Sequence, residues 1–288
     1  MLNLENIADS EHGLTEDLMT ENAGRGIAEI ACTVLKPSSS THNSIPTVII
    51  FAGNHTSGWR AVAAGRHMLN HNVNVVVCVL GIERESELLV HMQRQLKIFR
   101  SFAGQVVSKP ALLEYLKTLS SPPELIVDGL LGLTISFEEL RTGDQATAYE
   151  LIELANRSIE SKVLAIDVPT GIDPTSGKIN IIDGRQLYLR ADIVVAVAAP
   201  KKGLLEAMGR GEGMGGGDDN VVEGYGGVGK GYEDGRGDDG EKGKKWKLFV
   251  VDAGLGKAVW KKAGTRIRRG VEFEGSWVLG MRFVGGTE

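Results

Sequence analysis

Thr47-Val48-Ile49-Ile50-Phe51-Ala52-Gly53-Asn54-His55-Thr56-Ser57-Gly58-Trp59-Arg60 decides the fold. An unbroken apolar run, rich in β-branched residues, stops at Gly53, turns through a polar stretch and enters helical spacing that continues to about Leu69. That is a strand, a glycine-punctuated turn and a helix. In an open α/β sheet such a turn after the first strand lies where strand order reverses, so its amides and the helix N-terminus can face an anionic ligand. The spacing Gly53-x4-Gly58 fits neither the dinucleotide fingerprint nor the phosphate loop, because Trp59 and Arg60 follow the second glycine. Any strand-to-helix turn that needs glycine would also give this pattern.

Outward from this stretch the same alternation recurs. Thr15 to Leu35 carries Leu18, Ala23, Ile27, Ile30, Ala31 and Val34 at helical spacing, with Thr15 placed to cap and Glu16 and Asp17 in the first turn. Pro37 to Thr41 reads as a polar loop, and Pro46 fits only the start or edge of a strand. Val73 to Leu80 reads as a parallel strand covered on both faces. A charged helix is expected from Glu83 to Phe102, a short strand at Gln105 to Val107, a helix from Pro110 to Leu119 and a strand at Leu125 to Asp128. Gln145 to Ile159 is helical in pattern, and strands follow at Lys162 to Val168, Ile193 to Ala198 and Trp246 to Val251. An edge strand at Trp277 to Phe283 closes the chain. Strands separated by helices of about a dozen residues predict an α/β protein with a doubly wound, mostly parallel sheet in three layers.

Composition narrows the function classes. With 42% hydrophobic and 24% charged positions in 288 residues, the chain can bury a sizeable core as one domain. Residues 209–245 are the exception: they are dominated by glycine with scattered acids, and an insertion that cannot offset its ordering entropy is expected there. The formal charge of −5 and pI near 5.8 exclude a wholly basic nucleic-acid binder, while leaving room for a local patch. Lys257, Lys261, Lys262, Arg266, Arg268 and Arg269 form such a patch. Cys32 and Cys78 fall in a helix and a strand, the pattern of core thiols in a reducing compartment. No signal peptide or membrane-length apolar run is present in the sequence, so a cytoplasmic protein without membrane contact is expected.

Asp128, Asp167 and Asp252 stand at the ends of expected strands, and Gly171-Ile172-Asp173 lies just beyond one of them. In a parallel sheet these ends open onto the same crevice as the Gly53–Gly58 loop. Converging carboxylates there can hold ribose hydroxyls or cations or move protons; each alone can equally cap a helix or close a turn. His55 has no nucleophile or orienting acid at recognisable spacing. His67 and His71 share a helix face but lack a third ligand, so no metal site is expected. Trp59 can stack on a ring or face a dimer partner.

Leu18-Met19-Thr20-Glu21-Asn22-Ala23-Gly24-Arg25, the strand and loop at Gly53, Ala64-Gly65-Arg66-His67, Val127-Asp128-Gly129-Leu130-Leu131-Gly132, Ala165 through Asp173 and Ala199-Pro200-Lys201-Lys202-Gly203-Leu204 resemble, in the usual order, the YjeF N-terminal domain family. The resemblance implies a Rossmann-like fold that commonly dimerises. One branch is the NAD(P)H-hydrate epimerases, whose loop reads like Asn-Asn-Gly-Gly-Asp-Gly and holds the damaged cofactor near a monovalent cation. Here Trp59 stands for a glycine of that loop and Arg60 for its aspartate, a pairing expected to block both the pyrophosphate and the cation. The other branch, the C-terminal domain of enhancer of mRNA-decapping protein 3, is similar in the loop, in Gly65 to Val73 and in the segment from Phe249 to Arg266, the last most like fungal members. That branch implies a non-catalytic, dimerising, RNA-associated scaffold of cytoplasmic mRNA turnover and P-bodies, with NAD(P)H-hydrate epimerase as the alternative. No catalytic residue and no cofactor are then expected, although a nucleotide-like small molecule fits a crevice of Gly53, His55, Ser57, Gly58, Asp128, Asp167, Thr170, Gly171 and Asp173. RNA contacts are expected from Arg60 and the Lys257–Arg269 cluster. The LSm domain and Phe-Asp-Phe motif of that branch do not occur in this sequence, and decapping-complex partners are expected if the full-length protein carries them.

Overall fold

The computed structural model describes residues 2–35, 45–158, 160–210, 247–264, 271, 273 and 275–281. Among these, ten strands and eight α-helices follow one another as α1 (Leu2–His12), α2 (Glu16–Leu35), β1 (Thr47–Ala52), α3 (Thr56–Leu69), β2 (Asn74–Val79), α4 (Val90–Ser101), β3 (Gln105–Val107), α5 (Lys109–Thr118), β4 (Leu125–Gly129), α6 (Thr142–Arg157), β5 (Lys162–Ile166), β6 (Ile181–Ile182), β7 (Arg185–Gln186), β8 (Ile193–Val197), α7 (Lys202–Arg210), β9 (Lys247–Val251), α8 (Lys257–Lys262) and β10 (Val278–Met281). Eight strands form one sheet in the order β10-β9-β8-β5-β4-β1-β2-β3, parallel throughout except for β10 at the edge; β6 and β7 make a separate hairpin. The chain runs outward from β1 to β2 and β3, then returns to lay β4 on the other side of β1. Strand order therefore reverses between β1 and β4, with Phe51 opposite both Cys78 and Asp128.

Alternation along each strand divides the core in two. Val48, Ile50, Val75, Val77, Val127, Ile166, Val195 and Val251 face α1, α2, α3, α4 and α8, while Ile49, Phe51, Val76, Cys78, Ile126, Ala165, Val194 and Val250 face α5, α6 and α7. Side chains of period two send successive residues of a strand to opposite faces, and both faces are covered, so continuous apolar runs are what a central parallel strand requires. The expected three layers and doubly wound sheet are present.

The expected helix over 83–102 is broken. Gly81 is left-handed, Ile82–Glu87 is a 310 segment, Leu88 and Leu89 are extended, and the α-helix begins only at Val90. The Leu89 N–H donates to Asn54 Oδ1 at 2.8 Å, so a long-range bond to the β1–α3 loop replaces an intrahelical one. Helices α1, α7 and α8 and the β6–β7 hairpin were not expected from the pattern. Gly209 and Arg210, the first residues of the glycine-rich segment, complete α7. The remainder of 209–245, together with Arg266, Arg268, Arg269 and Phe283, lies outside the described residues.

Candidate functional site

The β1–α3 loop closes against the β4 loop at the switch point. Gly53 N–H donates to Gly129 O at 2.9 Å. A Cβ on Gly53 would collide with Leu130 O, and one on Gly58 with Gly53 O, so both glycines are required by backbone approach. His55 is the N-cap residue of α3 in extended conformation and makes no side-chain cap. Its ring reaches across instead, Nε2–H donating to Leu130 O at 2.9 Å, which fixes the neutral tautomer. Nδ1 is buried with no hydrogen-bond partner, and a Cβ built on Gly132, itself left-handed at φ +65°, would lie 2.5 Å from it.

Burial lowers the His55 pKa to about 4, against the raising effects of Leu130 O and Asp167. The unfolded chain takes up this proton near 6.5 and the folded protein only near 4, so stability is full above 6.5 and declines by about 1.4 kcal/mol per pH unit below it, about 3 kcal/mol in all. The stability advantage of wild type over His55→Gln, read from urea unfolding, is expected to shrink by about 2 kcal/mol between pH 7.5 and pH 5. An advantage unchanged with pH would refute the assignment.

Asp128, at the end of β4, is buried and accepts three hydrogen bonds. Oδ1 accepts Leu130 N–H at 3.1 Å and Thr170 Oγ1–H at 2.7 Å, and Oδ2 accepts Thr170 N–H at 2.8 Å. Burial raises its pKa above the usual carboxylate range, opposed by these bonds. Thr170 Oγ1 also accepts Leu131 N–H at 3.2 Å, so the pair staples the β4 loop to the β5 loop. Asp167 leaves β5 at φ +65°, and its Oδ1 accepts Val197 N–H at 2.9 Å and Lys201 Nζ at 2.6 Å. Lys201 is buried and donates also to Val197 O and Ala199 O, at 2.9 and 3.0 Å. Ser57 Oγ lies 3.5 Å from Asp167 Oδ2. Gly53, His55, Ser57, Gly58, Asp128, Asp167 and Thr170 are thus brought together at the switch point.

Gly171 and Asp173 are turned to other work. Gly171, at φ +89°, packs under Leu187 O. The Asp173 side chain keeps its hydrogen bonds within its own turn, and those from the Ser176 N–H and hydroxyl, then Thr175 N–H, hold it below the usual carboxylate range. Asp252 Oδ1 likewise closes its own turn, accepting Gly254 N–H at 2.7 Å.

Arg60 corrects the sequence reading most. Expected at an RNA surface, it is 1% exposed and points into the helical layer, where Nη1 meets Glu5 Oε1 at 3.0 Å and Nη2 meets Glu16 Oε1 at 3.1 Å. Burial alone would lower its pKa, but Glu5, Glu16 and the more distant Asp167 outweigh it and hold the group charged. Trp59 is buried too: Nε1 donates to Glu16 Oε1 at 3.0 Å and the ring lies 5.4 Å from that of His91. A helical Arg reads as solvated; nothing near it in sequence announces partners 44 and 55 residues upstream. Lys201 was legible only as part of a motif, since an acid buried at a strand end gives no signal of the cation that neutralises it. Lys257, Lys261 and Lys262 are exposed on α8, Lys262 paired with Glu11. Among the described residues no group of three His, Cys, Asp or Glu side chains is placed to hold a metal ion, and no helix is long and apolar enough to cross a membrane.

A doubly wound parallel sheet, a glycine-bounded loop at its switch point and carboxylates at the adjoining strand ends define a Rossmann-like α/β domain. The chain belongs to the family described as YjeF-related protein N-terminus, whose model matches residues 16–203. It is 29% identical over 205 residues to the NAD(P)H-hydrate epimerase of Dehalogenimonas lykanthroporepellens, covering 71% of this chain and 74% of that protein. It is 32% identical over 162 residues to enhancer of mRNA-decapping protein 3 of Schizosaccharomyces pombe, covering 54% of this chain and 32% of that much longer relative. The crystal structure of yeast ynu0 superposes with a TM-score of 0.67 over 96% of this chain and 95% of that one, at 19% identity, a likeness of fold.

Proposed function

We propose that this chain is a non-catalytic, dimerising and RNA-associated scaffold domain of the mRNA-decapping-enhancer type, acting in cytoplasmic mRNA turnover and P-body assembly. The observation that carries the reading is the commitment of the loop and strand-end charges to the protein itself. Arg60 is ion-paired inward, Asp128 accepts three internal hydrogen bonds from Thr170 and Leu130, and Asp167 Oδ1 is held by Lys201 and Val197 N–H. A group that must accept a proton or hold a cation needs a lone pair facing the ligand; both oxygens of Asp128 and Oδ1 of Asp167 answer internal donors instead. Leu18, Leu89 and Val90, each at least half exposed on helix starts joined by the Asp17–His91 pair, support self-association. Lys257 and Lys261 on α8 support phosphate contacts. Decapping-complex proteins are the partner class this reading implies.

The second reading, NAD(P)H-hydrate epimerase, is favoured by the breadth of the match to the Dehalogenimonas enzyme. Purified protein incubated with one epimer of hydrated NADH separates the two. The expected result is interconversion no faster than in buffer, together with RNA binding whose salt dependence weakens in a Lys257→Glu/Lys261→Glu variant. Catalysed interconversion lost in Asp167→Asn would overturn the scaffold reading.

A further inference from the structure

Among the described residues Trp277 is the most exposed aromatic side chain, 60% exposed where the edge of the sheet meets α2. The Arg25 guanidinium lies 5.0 Å from its ring centroid, and with that contact made most of the indole surface still faces solvent. The Trp277 position is fixed by the sheet: its carbonyl accepts Asp252 N–H at 3.0 Å, one residue before β10 pairs Val278 with Val251. Arg25 is held close by α2, on which Asn22 Nδ2, one turn earlier, donates to Ala253 O at 3.4 Å. From Asp252 the chain reaches Lys257 in five residues, at most about 18 Å. Asp252, bonded to the Trp277 carbonyl, also lines one cavity with Trp260, so the indole and its stacked guanidinium lie at the end of the sheet that α8, with its exposed Lys257 and Lys261, packs against.

We propose that Trp277 and Arg25 form a stacking platform for an unpaired base of single-stranded RNA, with the α8 lysines on the adjoining phosphates. The chemistry selects this occupant. An exposed indole and a planar cation present π-faces that any base can stack on, and lysines beside them match a polyanion. A duplex keeps its bases stacked on each other and offers the platform only its backbone. A proline-rich peptide would use the indole but has no charge for the lysines to meet. The inference rests on the RNA-associated reading above and adds which RNA is held and by which side chains.

Fluorescence anisotropy of the full chain with a labelled 12-nucleotide poly(U) strand, and with a duplex of the same length, tests it. Trp277→Ala is expected to weaken the single strand by about 10-fold and the duplex by less than about twofold, and Trp277→Phe to restore most of the loss. In a Trp246→Phe background, indole fluorescence is expected to fall on strand binding, since Trp59 and Trp260 are buried. Unchanged strand affinity in Trp277→Ala, with loss in Lys257→Glu/Lys261→Glu, would overturn the platform and leave the RNA reading standing. No RNA binding by wild type in about 50 mM salt would overturn both. A change of oligomeric mass in Trp277→Ala at unchanged RNA affinity would assign the indole to a protein contact and overturn the proposal.

Discussion

Arg60→Met is expected to destabilise the domain by about 3–5 kcal/mol, the cost of leaving desolvated carboxylates without their cation. Arg60 is almost wholly buried, and Glu5 is nearly so at its side chain. Glu16 Oε1 receives three more-or-less equivalent donors, Arg60 Nη2 at 3.1 Å, Trp59 Nε1 at 3.0 Å and Thr20 Oγ1 at 3.0 Å, so it keeps two after the substitution. Glu5, on α1, has Arg60 as its ion-pair partner and carries most of the penalty. The Arg60 Nε–H has no hydrogen-bond partner even in the intact network, so the triad is an imperfectly satisfied one, and apolar replacement of the whole is far less costly than removal of one part. Arg60→Met/Glu5→Leu is therefore expected to recover at least half of the loss in chemical denaturation. A single-substitution cost below about 1 kcal/mol, or no recovery in the double variant, would refute the account. Because Glu5 ties α1 to α3, limited proteolysis should release α1 first in the single variant.

This network also marks the boundary of what sequence discloses. The sheet was legible because a central parallel strand must be apolar on both faces: β1, β2, β4, β5 and β9 each read as apolar runs stopped by Gly or Asp, and β8 as one stopped before Pro200. Convergence of Gly53, Asp128, Asp167 and Thr170 followed from parallel topology alone. The roles did not follow. Whether a strand-end carboxylate faces a ligand or a neighbour depends on side chains brought in by tertiary packing, as Thr170 is to Asp128 and Lys201 to Asp167. Arg60 was misread as a surface cation for the same reason. The helix break before Val90 was invisible because its cause is Asn54, 35 residues earlier.

Lys201→Met is expected to cost about 3–5 kcal/mol at pH 7 by leaving the buried Asp167 carboxylate uncompensated. Its three donors go to three acceptors, Asp167 Oδ1, Val197 O and Ala199 O, on both sides of a left-handed turn at Ala198 whose φ is +64°. Asp167 itself sits at φ +65°, so one ammonium secures two residues in a conformation that side chains with a Cβ seldom adopt. Asp167→Asn keeps a residue tolerant of that backbone and removes the charge, so Lys201→Met/Asp167→Asn is expected to be more stable than Lys201→Met alone, a coupling of about 2 kcal/mol or more by double-mutant cycle. Additive costs would show that the pair is not the lock. The same cycle bears on function. In a scaffold the four proteins differ in stability while none interconverts the hydrate epimers; in an enzyme, Asp167→Asn would remove a rate that wild type possesses. Stability and turnover thus report separately on one carboxylate, because the lock holds Asp167 Oδ1 while Oδ2 meets only Ser57 Oγ at 3.5 Å.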